Sequence, residues 1–481
     1  MNFGIIKRTI GWILLFETCF FLVPAITAAV YWEKEFFDIL ISMCVSALFG
    51  GLLILGKPKS DVVYAKEGFV IVAISWIILS LFGSLPFYIS GAIPSFIDAL
   101  FETVSGFSTT GASILSGEQI EALPKCLLMW RSFTHWVGGM GVLVFILAFL
   151  PLCGGGHNIN LLRAESPGPS VSKLAPKMRS TAGILYLIYT VLTVLQFVLL
   201  LFGTTVFDAL NIAFATAGTG GFALKGDGLA GYSPYVQVVV TVFMILYSIN
   251  FASFFFIIRG KLKEAFNAEV RVFLTIVVLA VTLISINLCL TQTGLSVGEV
   301  IRHSAFSVAS VVSTTGFSTL DFNLWPTFSK TILVIIMFMG ACAGSTGGGM
   351  KVSRFVILFK GMSHETKRML HPKQVKKVHM DNHVVEEETI RGIFSYLIAF
   401  IAVFLISLLI ISLDGHDVTT SFTAIVATIN NIGPGLGEVG PAGNYAFFSW
   451  WSKLVLIFDM LAGRLEIFPM LLLFLPATWR K

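Results

Sequence analysis

Residues 299–322 read EVIRHSAFSVASVVSTTGFSTLDF: an acid, an apolar helical run, then a Ser/Thr stretch ending in Gly316. Three other stretches repeat that order. They are FIDALFETVSGFSTTGAS at 96–113, VFDALNIAFATAGTGGFAL at 206–224 and DVTTSFTAIVATINNIGPGLGEVG at 417–440. Each begins near an acidic residue (Asp98, Asp208, Glu299, Asp417) and reaches a glycine (Gly111, Gly221, Gly316, Gly433). A second acid (Glu118, Asp227, Asp321, Glu438) follows five to seven positions later. The glycines recur 95–117 residues apart. A long-period repeat of this kind sets the architecture before any single motif does.

Working outward, apolar runs flank each stretch. The chain of 481 residues is 56% hydrophobic and 12% charged, whereas a soluble domain is roughly a quarter charged. Ten runs are long enough to span hydrocarbon as helices: 10–31, 36–56, 67–91, 126–151, 181–203, 235–259, 270–291, 329–360, 391–413 and 452–476. The first follows Lys7 and Arg8 but is longer than the ~7–15 residues of a signal sequence's apolar region, so it reads as a retained span. Cations gather in alternate connections, from Lys57, Lys59 and Lys66 to the long segment Lys351–Arg391, and at both termini. With ten spans all of these fall on one side, which predicts cytoplasmic termini. The expected fold is an all-α membrane protein with four helix–pore loop–helix repeats around one pseudo-fourfold pore, plus two extra N-terminal helices. The units are 1–60 (extension), 61–153, 154–266, 267–375 and 376–481 (repeats 1–4).

The repeated stretch has the chemistry of a cation path. A dehydrated cation needs its water oxygens replaced, and rings of backbone carbonyls do this. Glycine permits the left-handed backbone that aims successive carbonyls alike. A short helix ahead of them turns its negative end to the ion, while an acid at its start suits the positive end and is expected to cap it. Acids beyond the glycines would ring the outer mouth and concentrate cations. Non-helical backbone at membrane depth is tolerated only inside protein or along a wet cavity.

The stretches STTGAS, GTGGFA, STTGFST and NNIGPGLGEVG, with WRSFTHWVGGMG at 130–141 and ACAGSTGGGMKVSR at 341–354, resemble the Trk/Ktr/HKT superfamily of potassium transporters, and its TrkH branch in particular. The resemblance covers essentially the whole chain. It implies potassium translocation in the cytoplasmic (inner) membrane, assembly as a homodimer among membrane lipids, and a cytosolic ring of nucleotide-binding regulatory subunits. Carried over, the filter comprises Ser108, Thr109, Thr110 and Gly111; Gly218, Thr219, Gly220 and Gly221; Ser313, Thr314, Thr315 and Gly316; and Asn430, Asn431, Ile432 and Gly433. A glycine at 111 argues for potassium, since a serine there goes with sodium transport in some plant relatives. The glycine-rich second stretch departs from the pattern and implies a more flexible strand.

Two further features concern control. Span eight is interrupted by Gly344, Ser345, Thr346, Gly347, Gly348 and Gly349, and each glycine costs a helix about 1 kcal/mol relative to alanine. In the family the matching loop lies beneath the filter as a gate. Arg464 stands inside the last span, where a charge costs at least ~2.5 kcal/mol unless it faces the interior or water. In the family it points into the cavity, as a barrier or gate partner. Asp459 and Glu466 are candidate counter-charges. Arg131 and His135 share a helix face and are expected only to pack or to join helices, since nothing points them at the pore.

No dinucleotide fingerprint, Walker A motif or Cys/His cluster is present, so no cofactor, enzymatic activity or nucleic-acid partner is expected, and the six cysteines read as small buried hydrophobes. The chain is expected to be the membrane subunit of a regulated potassium uptake system. A potassium symporter coupled to sodium or protons is the alternative.

Overall fold

The computed structural model describes residues 1–56, 64–141, 178–291, 294–371, 377–381 and 383–480. Among these, six helices are long and apolar enough to cross a membrane, or seven if the bent pair Pro234–Ser248 and Phe251–Ile258 counts as one span. Apart from a two-residue strand pair (His379–Met380 with His383–Val384), regular structure is helical. The lower part of the expected fourth span, Arg163, Lys173 and the boundary at 153/154 lie outside the described residues.

The N-terminal pair packs through its glycines. A Cβ on Gly11 would meet the Gly50 carbonyl at 2.8 Å. Small residues bring backbones together in this way where lipid supplies no hydrophobic drive between helices. The first helix breaks at Phe21, between Phe3–Phe20 and Leu22–Tyr31. Pro24 has no N–H for the Phe20 carbonyl, which accounts for the break.

Each repeat then has a first helix, a short loop helix and a second helix. The loop helices are Phe96–Phe107, Val206–Ala217, Val297–Val312 and Val418–Ile429. Their starts correct one expectation. In repeats 1–3 the cap is a hydroxyl (Ser95, Thr205, Ser296), and the acid stands three residues further on, at the N3 position. Only in repeat 4 does the acid, Asp417, itself cap, accepting from Thr420 N at 3.1 Å. Both placements put negative charge on the positive helix end.

Among the described residues the second helices of repeats 2, 3 and 4 are broken, not only the eighth span, and that of repeat 1 ends early. Lys125–Gly139 ends at Gly138-Gly139, Pro234–Ser248 turns by 94° into Phe251–Ile258, Thr327–Met337 gives way to a loop before Val352–Leu370, and Trp450–Arg464 breaks before Phe468–Phe474. Every second helix packs on its own loop helix and on that of the next repeat, with repeat 4 returning to repeat 1. Lys453 closes this circuit on Asp98 at 2.6 Å.

Candidate functional site: a ring of carbonyls and the loop beneath it

The four loop helices end identically. Thr109, Thr219, Thr314 and Asn431 adopt left-handed φ of 57°, 54°, 60° and 55°. Their N–H groups bond back three residues (Gly106, Thr216, Val311 and Thr428 carbonyls), and the next residues bond back five (Ser105, Ala215, Ser310 and Ala427 carbonyls). This is the Schellman helix ending, here built on residues other than glycine. The ending uses up the N–H groups of the first three filter positions. Among the described residues no backbone N–H bonds to any carbonyl of 108–111, 218–221, 313–316 or 430–433. A buried carbonyl without a donor is costly; two of these take side-chain donors instead, Gly218 from Thr219 Oγ1 at 2.6 Å and Gly433 from Tyr445.

The rows form a closed ring. A Cβ on Gly111 would fall 1.9 Å from the Gly220 carbonyl oxygen, on Gly221 1.9 Å from that of Thr315, on Gly316 2.1 Å from that of Ile432, and on Gly433 2.7 Å from that of Thr110. Each glycine thus faces the carbonyl just before the glycine of the next strand. All four have positive φ, 75–93°, which, with the close approach, explains why glycine stands there.

Side chains hold the ring from behind. Ser108 bonds Thr110 at 2.7 Å and Ser313 bonds Thr315 at 2.6 Å, oxygen to oxygen. Asn431 Nδ2 donates to Thr110 Oγ1 at 3.0 Å across the repeat 4–1 boundary, and Tyr445 O–H donates to the Gly433 carbonyl at 2.6 Å. Arg131 and His135 join helices as expected, and their contacts also reach the second glycine stretch. Arg131 pairs with buried Glu102 at 2.8 Å and donates to the Ala223 carbonyl at 3.1 Å. His135 joins Gly106 to Phe222. Both side chains therefore brace the second strand from repeat 1. Their i, i+4 spacing showed the shared face, but not that the face meets another repeat.

Outside the ring a shallow cavity is lined by Gly111, Gly221, Gly316 and Gly433, and by Arg131 and Lys225. The four outer acids do not line it. Glu118, Asp227 and Glu438 are exposed. Glu438 lies 3.6 Å from His416, and Asp321 caps a short turn through Asn323 N at 2.9 Å. The cavity wall is thus largely backbone, with two cationic side chains on it.

On the opposite side the Gly-rich loop lies against the strands. Gly348 N donates to Thr314 Oγ1 at 2.7 Å, Thr219 Oγ1 donates to the Thr346 carbonyl at 3.1 Å, and a Cβ on Gly348 would strike Asn431 at 2.7 Å. Lys351 donates to the Gly347 carbonyl. Glu269 Oε1 accepts from Ala343 N at 2.8 Å and Ser353 N at 3.0 Å, pinning both ends of the loop. Arg464 donates to the Thr346 carbonyl at 2.8 Å and to the Gly139 carbonyl at 2.7 Å. Of the candidate counter-charges, Glu466 pairs with buried Arg354, and Asp459 accepts from Ser407 at 2.8 Å.

The family described as "TrkH: Cation transport protein" matches residues 36–481. The chain is 35% identical to the Trk system potassium uptake protein TrkH of Escherichia coli strain K12 over 100% of both chains. It is 31% identical to the Trk system potassium uptake protein TrkG of the same organism over 99% of each. The crystal structure of the potassium transporter TrkH from Vibrio parahaemolyticus matches with a TM-score of 0.89 and 32% identity, covering 100% of both chains. The protein is therefore a member of the TrkH family of cation transport proteins.

Proposed function

We propose that this chain carries potassium across the cytoplasmic membrane, with the carbonyls of 108–111, 218–221, 313–316 and 430–433 replacing the ion's water shell. One observation supports this above the others: four rows of carbonyls without backbone donors, closed into a ring by mutual contact at the glycines. The names of the relatives supply the ion. Loop 344–349 lies on the far side of the ring from the vestibule and is held by Arg464, as a gate beneath a filter would be. In this reading both termini are cytoplasmic, and the chain works as a homodimer on a nucleotide-binding regulatory ring.

The test is potassium and sodium flux in proteoliposomes with defined gradients. Gly111→Ser places a side chain where the Gly220 carbonyl lies 1.9 Å from the Cβ and is expected to abolish potassium preference. Unchanged uptake and unchanged discrimination would sink the filter assignment. Coupling to sodium or protons has one observation in its favour, the buried Asp459 carboxyl, whose Oδ2 has no hydrogen-bond partner among the described residues. Flux that reverses at the potassium equilibrium potential whatever the proton or sodium gradient excludes coupling.

A further inference from the structure

Two of the four filter strands carry a hydroxyl bolt of their own; the second has none. In repeats 1 and 3 the hydroxyls of the first and third residues bond each other at 2.7 and 2.6 Å. Repeat 2 has Gly218 and Gly220 at those positions and no side chain to form such a bolt. A bare strand of this composition should be loose. Its space, however, is filled. A Cβ on Gly220 would fall 2.1 Å from His135 Nδ1 and 2.2 Å from its Cγ, and a Cβ on Gly218 would fall 2.1 Å from the His135 carbonyl oxygen. The imidazole of repeat 1 occupies the volume that Thr110 and Thr315 fill with their own side chains.

The ring is also fixed in orientation. The Phe222 N–H, which can only donate, reaches His135 Nε2 at 3.3 Å. Nε2 therefore accepts, the proton sits on Nδ1, and Nδ1–H donates to the Gly106 carbonyl at 2.8 Å. His135 is fully buried. Its ring lies 4.3 Å from that of Phe222, and the Arg131 guanidinium lies 4.1 Å from the same phenyl. Phe222 directly follows Gly221, so both ends of the second strand rest on one helix face of repeat 1.

We propose that His135 is the positioning residue of the second filter strand, standing in for the missing Ser–Thr bolt and setting how strictly the pore separates potassium from sodium. The inference rests on the filter reading above. It predicts reciprocal behaviour at two positions in different repeats. His135→Ala empties the space and orphans the Phe222 N–H, so the potassium-to-sodium flux ratio falls by ~10-fold or more while potassium flux persists. Gly220→Thr drives a side chain into the imidazole and loses potassium flux by a similar ~10-fold factor. The double variant gives the new threonine the vacated space, so the flux ratio returns to within ~3-fold of the parent, a coupling that neighbouring sites show and independent sites do not.

Flux ratios in proteoliposomes, on protein confirmed folded by its thermal transition, decide the matter. Retention of the parent ratio by folded His135→Ala, or a double variant no better than the worse single, overturns the proposal. Should His135→Ala fail to fold, the double variant carries the test: recovery of folding and ratio together supports the bolt, and folding without the ratio overturns it. Gly111→Ser, measured alongside, separates the two levels. If it leaves discrimination intact, the filter reading itself falls; if it abolishes discrimination while His135→Ala does not, only the present inference falls.

Discussion

The ring of glycines is unevenly tight, and an added methyl should harm transport unevenly. The Cβ-to-carbonyl distance would be 1.9 Å at Gly111 and Gly221, 2.1 Å at Gly316 and 2.7 Å at Gly433, where real Cβ atoms essentially never come within 3.0 Å. Alanine must therefore push the neighbouring carbonyl back by roughly 1 Å at the first three positions and by a few tenths of an ångström at the fourth. The left-handed backbone adds ~1–2 kcal/mol at all four alike, so the difference between positions isolates the steric effect. Withdrawing one carbonyl from a cation forfeits most of a charge-assisted contact, ~1.5–3 kcal/mol. At ~1.4 kcal/mol per decade that is ~10- to 100-fold in the potassium-to-sodium flux ratio. Alanine at each glycine, reconstituted and assayed under matched potassium and sodium gradients, should lose that much at 111, 221 and 316. At 433 the loss should stay within ~3-fold, as befits a displacement of tenths of an ångström. A Gly433→Ala protein as damaged as Gly111→Ala would refute the steric reasoning, because the two differ chiefly in the room available.

Four further outcomes follow from the same contacts. Arg464→Gln removes the guanidinium that bonds the Thr346 and Gly139 carbonyls, so flux without any regulatory partner should rise by ~5-fold or more; unaltered flux would mean that the arginine does not hold the loop. Glu269→Ala orphans the Ala343 and Ser353 N–H groups, at ~1–3 kcal/mol each, and should lower the thermal transition. Glu269→Gln keeps an oxygen able to accept both bonds and should restore most of it, whereas equal loss in both variants would indicate charge rather than hydrogen bonding. Arg354→Met leaves Glu466 buried without its partner, a loss of ~3–5 kcal/mol that chemical unfolding should detect and that a second change, Glu466→Met, should largely recover. Asp417→Ala removes a cap, ~0.5–2 kcal/mol; hydrogen bonds from the Thr420 side chain and N–H hold the Asp417 carboxyl below the ordinary carboxylate range. Because the folded value is depressed, its contribution is complete above the ordinary ~3.9 and fades as pH falls through the folded value. Parent and variant transitions should thus differ equally at neutral and mildly acidic pH and converge below about pH 4; a gap that grows with acidification would contradict the assignment.

What the sequence disclosed was whatever lies in runs or repeats. Span lengths follow from apolar content, and the four glycines showed themselves by recurrence. Single breaks were harder to see. The interruption at 344–349 was legible because six consecutive residues oppose a helix, whereas the bend at Ile249–Asn250 and the break at Glu466–Ile467 rest on one or two residues each. Asn250 inside an apolar run was the available signal: it caps the resumed helix by accepting from Ala252 N at 2.9 Å. The loop-helix acids misled because an acid at N3 and an acid at the cap serve the same helix dipole, and only the backbone tells them apart. His135 was invisible in its role, since nothing in its own repeat says that it fills a hole in another.

The broken second helices also bear on how the proposed gate could move. Loop 342–346 is bonded to the break in the sixth span: Cys342 N to the Ser248 carbonyl at 3.0 Å, Phe251 N to the Gly344 carbonyl at 3.0 Å, and Thr346 N to the Tyr247 carbonyl at 3.4 Å. Arg464 of repeat 4 ties the same loop to Gly139 of repeat 1. If the loop closes the path, it cannot open as a local event in repeat 3, because it must let go of repeats 1, 2 and 4 together. Each backbone bond contributes only ~0.5–1.5 kcal/mol net, and a charged one ~1.5–3. The set therefore holds the loop by several kcal/mol, close to the ~5.5 kcal/mol that moves a two-state equilibrium from 1:99 to 99:1. In the proposed reading a regulatory partner would have to supply that much differential binding and little more, and weakening any one tether should lower its requirement by that tether's share.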